Sequence, residues 1–199
     1  VSGMSMGQTA ENIAWRFGIT RNEMDQYACR SHQRLAQAQD DDLLTELEPL
    51  HGPDGRAYDM DDGVRRESTV DDLGRLKPVF EKPYGKVTAG NSAQVTDGAC
   101  AVMLASEEAV EKHGLPVLAR IVDSEWAGLD PAQMGLGPVH AVTPMLRRHR
   151  FALGSIDYWE LNEAFAAQVL ACTAAWRDRS YCREQLGLSK PWGDIDPDR

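Results

Sequence analysis

The chain has 199 residues, of which 42% are hydrophobic, with 21 basic and 31 acidic side chains for a net charge of −10. That is enough apolar material for a core in one or two compact domains, and the acidic balance argues against a surface for nucleic acid or anionic membrane. No stretch approaches the roughly 20 apolar residues of a membrane helix, and residues 1–12 lack the basic-then-apolar layout of a secretory signal, so a cytoplasmic protein is expected.

In chain order, residues 9–17 predict a short helix ending at Gly18, and Thr20 with Glu23 forms a capping box for a second helix reaching about Gln39. Its expected inner face is Met24, Tyr27, Ala28, Ser31, Leu35 and Ala38. Residues 40–72, punctuated by Pro49, Gly52, Pro53, Gly55 and Gly63, form an excursion rather than a core element. The acidic cluster around Asp59 departs from a calcium loop, because Gly63 falls one place early and Val70 stands where the bidentate Glu belongs.

Residues 86–105 return to strand character, with a small-residue loop feeding the apolar run 100–105. Ser106 caps a helix carrying Glu107 and Glu108 in its first turn and ending near Gly114. Residues 116–126 predict another strand, and residues 139–150 a helix interrupted at Pro144. A short buried strand over 156–161 then leads to a helix with Ala164, Ala167, Val169, Leu170, Ala174 and Trp176 on its apolar face. This alternation predicts α/β layering with parallel pairing, followed by a loose tail over 189–199.

Asn162 falls at the carboxyl end of that last strand, where open α/β sheets place their crevices, and its amide could hold a water or donate to a developing oxyanion. Residue type alone equally allows Asn162 to cap the following helix, with Glu163 complementing its dipole. Gly135-Leu136-Gly137 lacks the third glycine of a dinucleotide fingerprint and reads as a tight turn stiffened by Pro138. His32, His51, His113, His140 and His149 have no Cys or carboxylate partner at ligand spacing, and no metal site is expected. Cys29, Cys100, Cys172 and Cys182 read as reduced thiols, with Cys100 and Cys172 buried and inert in apolar runs.

Four segments, in order, resemble the thiolase family: Ser5-Met6-Gly7-Gln8-Thr9-Ala10-Glu11-Asn12, the stretch 87–99 around Ala89-Gly90-Asn91-Ser92-Ala93, Met134-Gly135-Leu136-Gly137-Pro138, and Asn162-Glu163-Ala164-Phe165. The likeness is strongest to the acyl-CoA acyltransferases of fatty-acid degradation by β-oxidation. It implies a thiolase-like layered α/β fold, present in part, with residues 1–85 as most of an inserted loop domain, 86–114 as the end of the N-terminal half and 115–199 as the start of the C-terminal half. The implied reaction is thiolytic cleavage of a 3-ketoacyl-CoA to acetyl-CoA and a shortened acyl-CoA, or the reverse condensation, through an acyl-cysteine.

By the same resemblance, Asn162 holds a water that stabilises the thioester oxygen as it becomes an enolate, and Glu163 orients Asn162 or that water. Asn162 departs from the His of some long-chain members and of decarboxylating condensing enzymes of the same fold. The implied substrate-binding residues are Met6, Arg65, Ala89, Ser92, Ala93, Met134 and Phe165. Met134 and Phe165 would line the acyl or pantetheine channel, Ala89, Ser92 and Ala93 would border pantetheine, and Arg65 would meet the adenine and phosphates. Ala93 stands where a contacting Ser is common, with the hydroxyl one place earlier at Ser92, and an ion pair with Asp61 or Asp62 is the alternative for Arg65.

Coenzyme A is then a substrate, there is no resident cofactor, and the complete protein is expected to be a homodimer or homotetramer. The family's nucleophilic Cys and its Gly-His-Pro motif do not occur within these residues, so the chain by itself is expected to be inactive. The alternative is a non-catalytic acyl-CoA-binding or oligomerisation module of the same fold.

Overall fold

Reciprocal capping fixes both opening helices. A computed structural model describes residues 3–197; positions 1, 2, 198 and 199, the last two within the expected loose tail, lie outside the described residues. Helix α1 (Met6–Arg16) begins three residues earlier than expected, because Ser5 accepts from the Gln8 backbone N–H while the Gln8 side chain accepts from the Ser5 N–H. Gly18, at φ 66°, turns the chain into helix α2 (Arg21–Asp40), which opens with the predicted Thr20–Glu23 box. The buried positions of α2 are Met24, Asp25, Cys29 and Ala36, whereas Tyr27, Ala28, Ser31, Leu35 and Ala38 are half-buried, so its inner face is rotated from the expected one.

The excursion contains one antiparallel hairpin, β1 (Leu50–His51) with β2 (Ala57–Tyr58), registered Leu50 to Tyr58 and His51 to Ala57. Helix α3 (Val70–Gly74), capped by Thr69, follows. The chain then returns to α1 through a buried carboxylate: Glu11 Oε1 accepts the backbone N–H groups of Lys86 and Val87, both at 2.8 Å. Asp25 performs a similar task on α2, pairing with Arg21 at 2.7 Å and accepting from the Asn91 amide at 2.9 Å. These two acids pin the turn Ala89–Asn91 to the helical core.

The expected parallel strands do not form. Residues 100–105 and 116–126 have no ladder among the described residues, and their apolar side chains stand in the open, with Val102 79% and Leu118 99% exposed. A lone strand leaves its N–H and C=O groups unpaired and gains nothing from apolar side chains that nothing covers. Cys100 is consequently exposed, not buried, whereas Cys172 is buried as expected. Between these stretches helix α4 (Glu107–His113) forms as predicted, capped by Ser106 and ended by Gly114 in the left-handed region. Arg148 and His149 hold Asp123 at 2.6 Å each, so His149 does have a carboxylate partner, on the surface.

The segment Met134–Pro138 is not a tight turn. A 3-10 helix, Pro131–Leu136, runs straight into helix α5 (Gly137–Arg148), with Pro138 in its first turn, where a missing N–H costs nothing. Pro144 lies inside α5 without ending it. One turn of α5 is instead tied inward: Thr143 donates to the Val139 carbonyl at 2.6 Å and accepts from the Trp176 indole at 3.1 Å.

Helix α6 (Ala166–Arg177) is the centre of the structure. Ala166, Ala167, Gln168, Val169, Ala171, Cys172, Ala175 and Trp176 are all buried, so its apolar surface runs nearly all round instead of forming the expected stripe. It packs against α1, α2, α5, the Pro131–Leu136 turn and helix α7 (Arg179–Gln185), which Asp178 caps. Residues 156–161 approach it without a ladder, with Ile156, Trp159 and Leu161 half-buried and the residues between them exposed.

Candidate functional site

An apolar cavity of about 230 Å³ lies where α1, the Pro131–Leu136 turn and the start of α6 converge. Met6, Ala10 and Ile13 of α1 form one wall, Met134, Gly135 and Pro138 a second, and Leu161, Asn162, Ala164, Phe165 and Gln168 the third. Gly135 is required for this convergence. A Cβ there would lie 2.8 Å from Ile13 Cδ1 and 2.9 Å from Gln168 Cγ, closer than packed carbons come.

Phe165, not Asn162, is the N-cap of α6, and it caps without a side-chain hydrogen bond. Its extended backbone forms an antiparallel bridge with Ser92, reinforced by the Ala93 N–H donating to the Ala164 carbonyl at 2.9 Å. The Phe165 ring meets Phe80 edge-on at 6.3 Å. Capping is thereby excluded as the reason for an Asn at 162. Its amide is exposed at the cavity mouth and makes no hydrogen bond to any of the described residues.

Glu163 faces the other way. Its Oε1 accepts from the Tyr27 hydroxyl at 2.6 Å and its Oε2 from the Ser31 hydroxyl, both on α2. No hydrogen bond joins the Glu163 carboxylate to the Asn162 amide among the described residues. Burial, and then the hydrogen bond to Glu163, raise the Tyr27 pKa, so its hydroxyl stays a donor. One residue beyond Ser31, His32 has its pKa lowered by burial and then by the charge of Arg65, while Glu163 pulls it upward.

The remaining predicted residues divide by position. Met6 and Met134, 52% and 44% exposed, flank the mouth of the cavity with Asn162 and Phe165. Ser92 and Ala93 abut the segment carrying Asn162, but the Ser92 hydroxyl donates to the Thr88 carbonyl at 2.7 Å, within its own turn. Ala89 is exposed on that turn. Arg65 is exposed beside His32, whose Nδ1 accepts the Arg65 backbone N–H at 3.3 Å, and it forms no ion pair with Asp61 or Asp62 among the described residues. The neighbouring Arg66 takes an acid instead, Asp40 at 2.7 Å.

Three participants escaped the sequence reading. Tyr27 and Ser31 carry a spacing of four that reads as packing, and their partner Glu163 is 136 and 132 residues away. Gln168 lines the cavity, donates to the Gly135 carbonyl at 3.2 Å, and keeps a buried Oε1 with no partner among the described residues. Alternation of amide and apolar residues along a helix gives no signal for such a role.

The chain matches the family models of the thiolase N-terminal domain over residues 1–108 and the thiolase C-terminal domain over residues 115–179. It belongs to the thiolase family. It is 44% identical over 170 residues to a 3-ketoacyl-CoA thiolase of Marinobacter nauticus, an alignment covering 83% of this chain and 44% of that protein. Among solved structures, it is similar to the human mitochondrial 3-ketoacyl-CoA thiolase in complex with CoA, with TM-score 0.79 and 43% identity over 84% of this chain and 42% of that one. It is also similar to the dimeric peroxisomal thiolase of Saccharomyces cerevisiae, with TM-score 0.83 and 39% identity over 85% and 43%. The chain thus spans less than half the length of the thiolases it matches, and its fold is that part of the thiolase-like α/β architecture.

Thiolase chemistry needs a reactive thiolate, and none of the four thiols here is placed to supply one. Burial pushes the Cys172 thiol up to about 12 and raises Cys182 as well. Cys29 is buried with its thiol on the Ser68 carbonyl at 3.2 Å, and Cys100 is exposed outside the cavity.

Proposed function

We propose that the complete protein is a thiolase that cleaves 3-ketoacyl-CoA with free coenzyme A, and that this chain supplies the Asn162 face of its site. The supporting observation is an amide with no hydrogen-bond partner among the described residues, at the mouth of an apolar cavity, in a chain of the thiolase family. In the forward direction a cysteine thiolate adds to the 3-keto carbon, and the bond between carbons 2 and 3 breaks. The electron pair of that bond leaves as the enolate of acetyl-CoA, which takes up a proton, and the thiolate of coenzyme A then displaces the acyl group from the cysteine. Condensation is the same sequence reversed.

Asn162 contributes where charge develops. Directly or through a water, its amide donates towards the thioester oxygen as that oxygen becomes an enolate, and a fixed donor of this kind is worth roughly 3 kcal/mol in the transition state. Met6, Met134 and Phe165 give the cavity beside the amide its apolar lining. Coenzyme A enters as substrate with no resident cofactor. The CoA complex of the human relative supports coenzyme A as a ligand, and the dimeric yeast relative supports a homodimer, with a homotetramer as the alternative assembly. Arg65, exposed beside His32 and outside the cavity lining, is assigned to the anionic end of coenzyme A as part of this proposal. Three buried, unpaired thiols suit a reducing compartment such as the cytoplasm.

The acyl-accepting cysteine lies outside these residues, so the 199-residue chain alone does not turn over. The test is acetyl-CoA release by the complete protein from a 3-ketoacyl-CoA, with and without free coenzyme A. Release that requires both supports the reading. Tight binding of acyl-CoA by the complete protein with no cleavage and no condensation would replace it with a binding module of the same fold.

A further inference from the structure

The segment that presents Asn162 is irregular, and no ladder holds it until the bridge at Phe165. Upstream, its nearest fixing is the Ile156 N–H on the Leu153 carbonyl at 3.3 Å and the tilted packing of Trp159 on Trp176 at 5.9 Å. Immediately downstream, the Ala93 N–H grips the Ala164 carbonyl. Between these lies Glu163, the residue next to Asn162 and the only one of the pair with side-chain partners among the described residues.

Those partners have a geometry suited to clamping. Tyr27 and Ser31 stand one turn apart on one face of α2, which is itself tied to the turn at Asn91 through the buried Asp25 and to the Leu76 carbonyl through Arg21. Two donors on a rigid helix, one to each carboxylate oxygen, restrain Glu163 in rotation as well as in position. Asn162 lines the cavity while its neighbour Glu163 is held on α2, so fixing Glu163 fixes the backbone from which the Asn162 amide is presented. We propose that Tyr27 and Ser31 are positioning residues that set the direction of the Asn162 amide by holding Glu163.

This rests on the thiolase reading of Asn162, and it adds a specific device on α2 to that reading. The cost of losing the clamp is misorientation. An ångström of displacement at a reacting group can reduce turnover by about 100-fold, so removing both hydroxyls should lower kcat by between about 10-fold and about 100-fold while KM changes by less than about 2-fold. Ser31→Thr keeps a hydroxyl and should restore most of what Ser31→Ala loses.

The experiment compares, in the complete enzyme, Asn162→Ala alone with Tyr27→Phe, Ser31→Ala, their combination and Ser31→Thr, each of these four made also in the Asn162→Ala background. The expected result is a fall in kcat for the clamp variants that vanishes in the Asn162→Ala background, because the clamp acts only through that amide. Equal loss in both backgrounds, a rise in KM without a fall in kcat, or failure of Ser31→Thr to rescue Ser31→Ala overturns the proposal. If the combined variant does not fold, the two single variants carry the same comparison. Asn162→Ala with undiminished kcat would overturn the underlying reading of Asn162; a large Asn162→Ala effect with unaffected clamp variants would overturn the clamp alone.

Discussion

Removing Glu11 should release the connection between α1 and residues 86–88. The side chain is 0% exposed, and its carboxylate receives the backbone N–H groups of Lys86 and Val87. Glu11→Ala leaves the buried Val87 N–H without an acceptor, at about 1–3 kcal/mol, and the part-buried Lys86 N–H at less, so the expected destabilisation is about 1–4 kcal/mol. Glu11→Gln keeps one oxygen to accept but turns charge-assisted bonds into neutral ones of roughly half the strength, and an expected loss of about 1–2 kcal/mol follows. The Lys86 ammonium does not compensate, since it donates to the Ile19 carbonyl at 2.6 Å and lies 4.0 Å above the Trp15 ring. Urea unfolding followed by tryptophan fluorescence measures both variants, and amide exchange at Lys86 and Val87 reports the local release directly. An Ala variant within about 0.5 kcal/mol of the parent would refute the assignment of these bonds as the tie between the two regions.

Gly135→Ala should narrow the cavity and cost about 1–3 kcal/mol of stability by overpacking against Ile13 and Gln168, seen as weaker acyl-CoA binding together with a lower unfolding midpoint. Arg65→Ala in the complete enzyme should weaken coenzyme A binding and leave a short pantetheine thioester nearly unaffected; the difference should shrink as salt rises, since the contact is exposed and the Debye length is roughly 8 Å at physiological ionic strength. Equal losses for both ligands would make Arg65 a structural residue. Burial lowers the pKa of His32 and of His140, the latter held to the Tyr181 hydroxyl at 2.7 Å. As pH falls below the unfolded value of 6.5 the unfolded chain takes up protons first, so stability is complete above that value and declines beneath it; His140→Gln should flatten the slope of unfolding free energy between about pH 5 and about pH 6.5.

Local chemistry was legible where it acts over a few residues. Thr20 with Glu23, and Ser106 before Glu107 and Glu108, mark helix starts that form at those positions, because a cap needs only its own first turn. Apolar runs were not sufficient for the strands over 100–105 and 116–126, because a strand exists only beside another strand, and these have none among the described residues. The motifs identified Asn162, Phe165, Met6 and Met134, and the structure gathers those four around one cavity. Its ties are different in kind. Glu11 to Lys86, Asp25 to Asn91 and Tyr27 to Glu163 join residues 75, 66 and 136 positions apart, and no periodicity within either segment announces them. Even Asn162 was ambiguous until the backbone showed Phe165 in the cap position.

The central claim is that the Asn162 amide acts on charge that develops during the reaction. Steady-state kinetics of Asn162→Ala in the complete enzyme, with a 3-ketoacyl-CoA and free coenzyme A, tests it most directly. The expected result is a fall in kcat of about 100-fold or more, with KM nearly unchanged, because a donor aimed at a developing oxyanion contributes little to the ground state. A variant that keeps its turnover and loses only substrate affinity would contradict it.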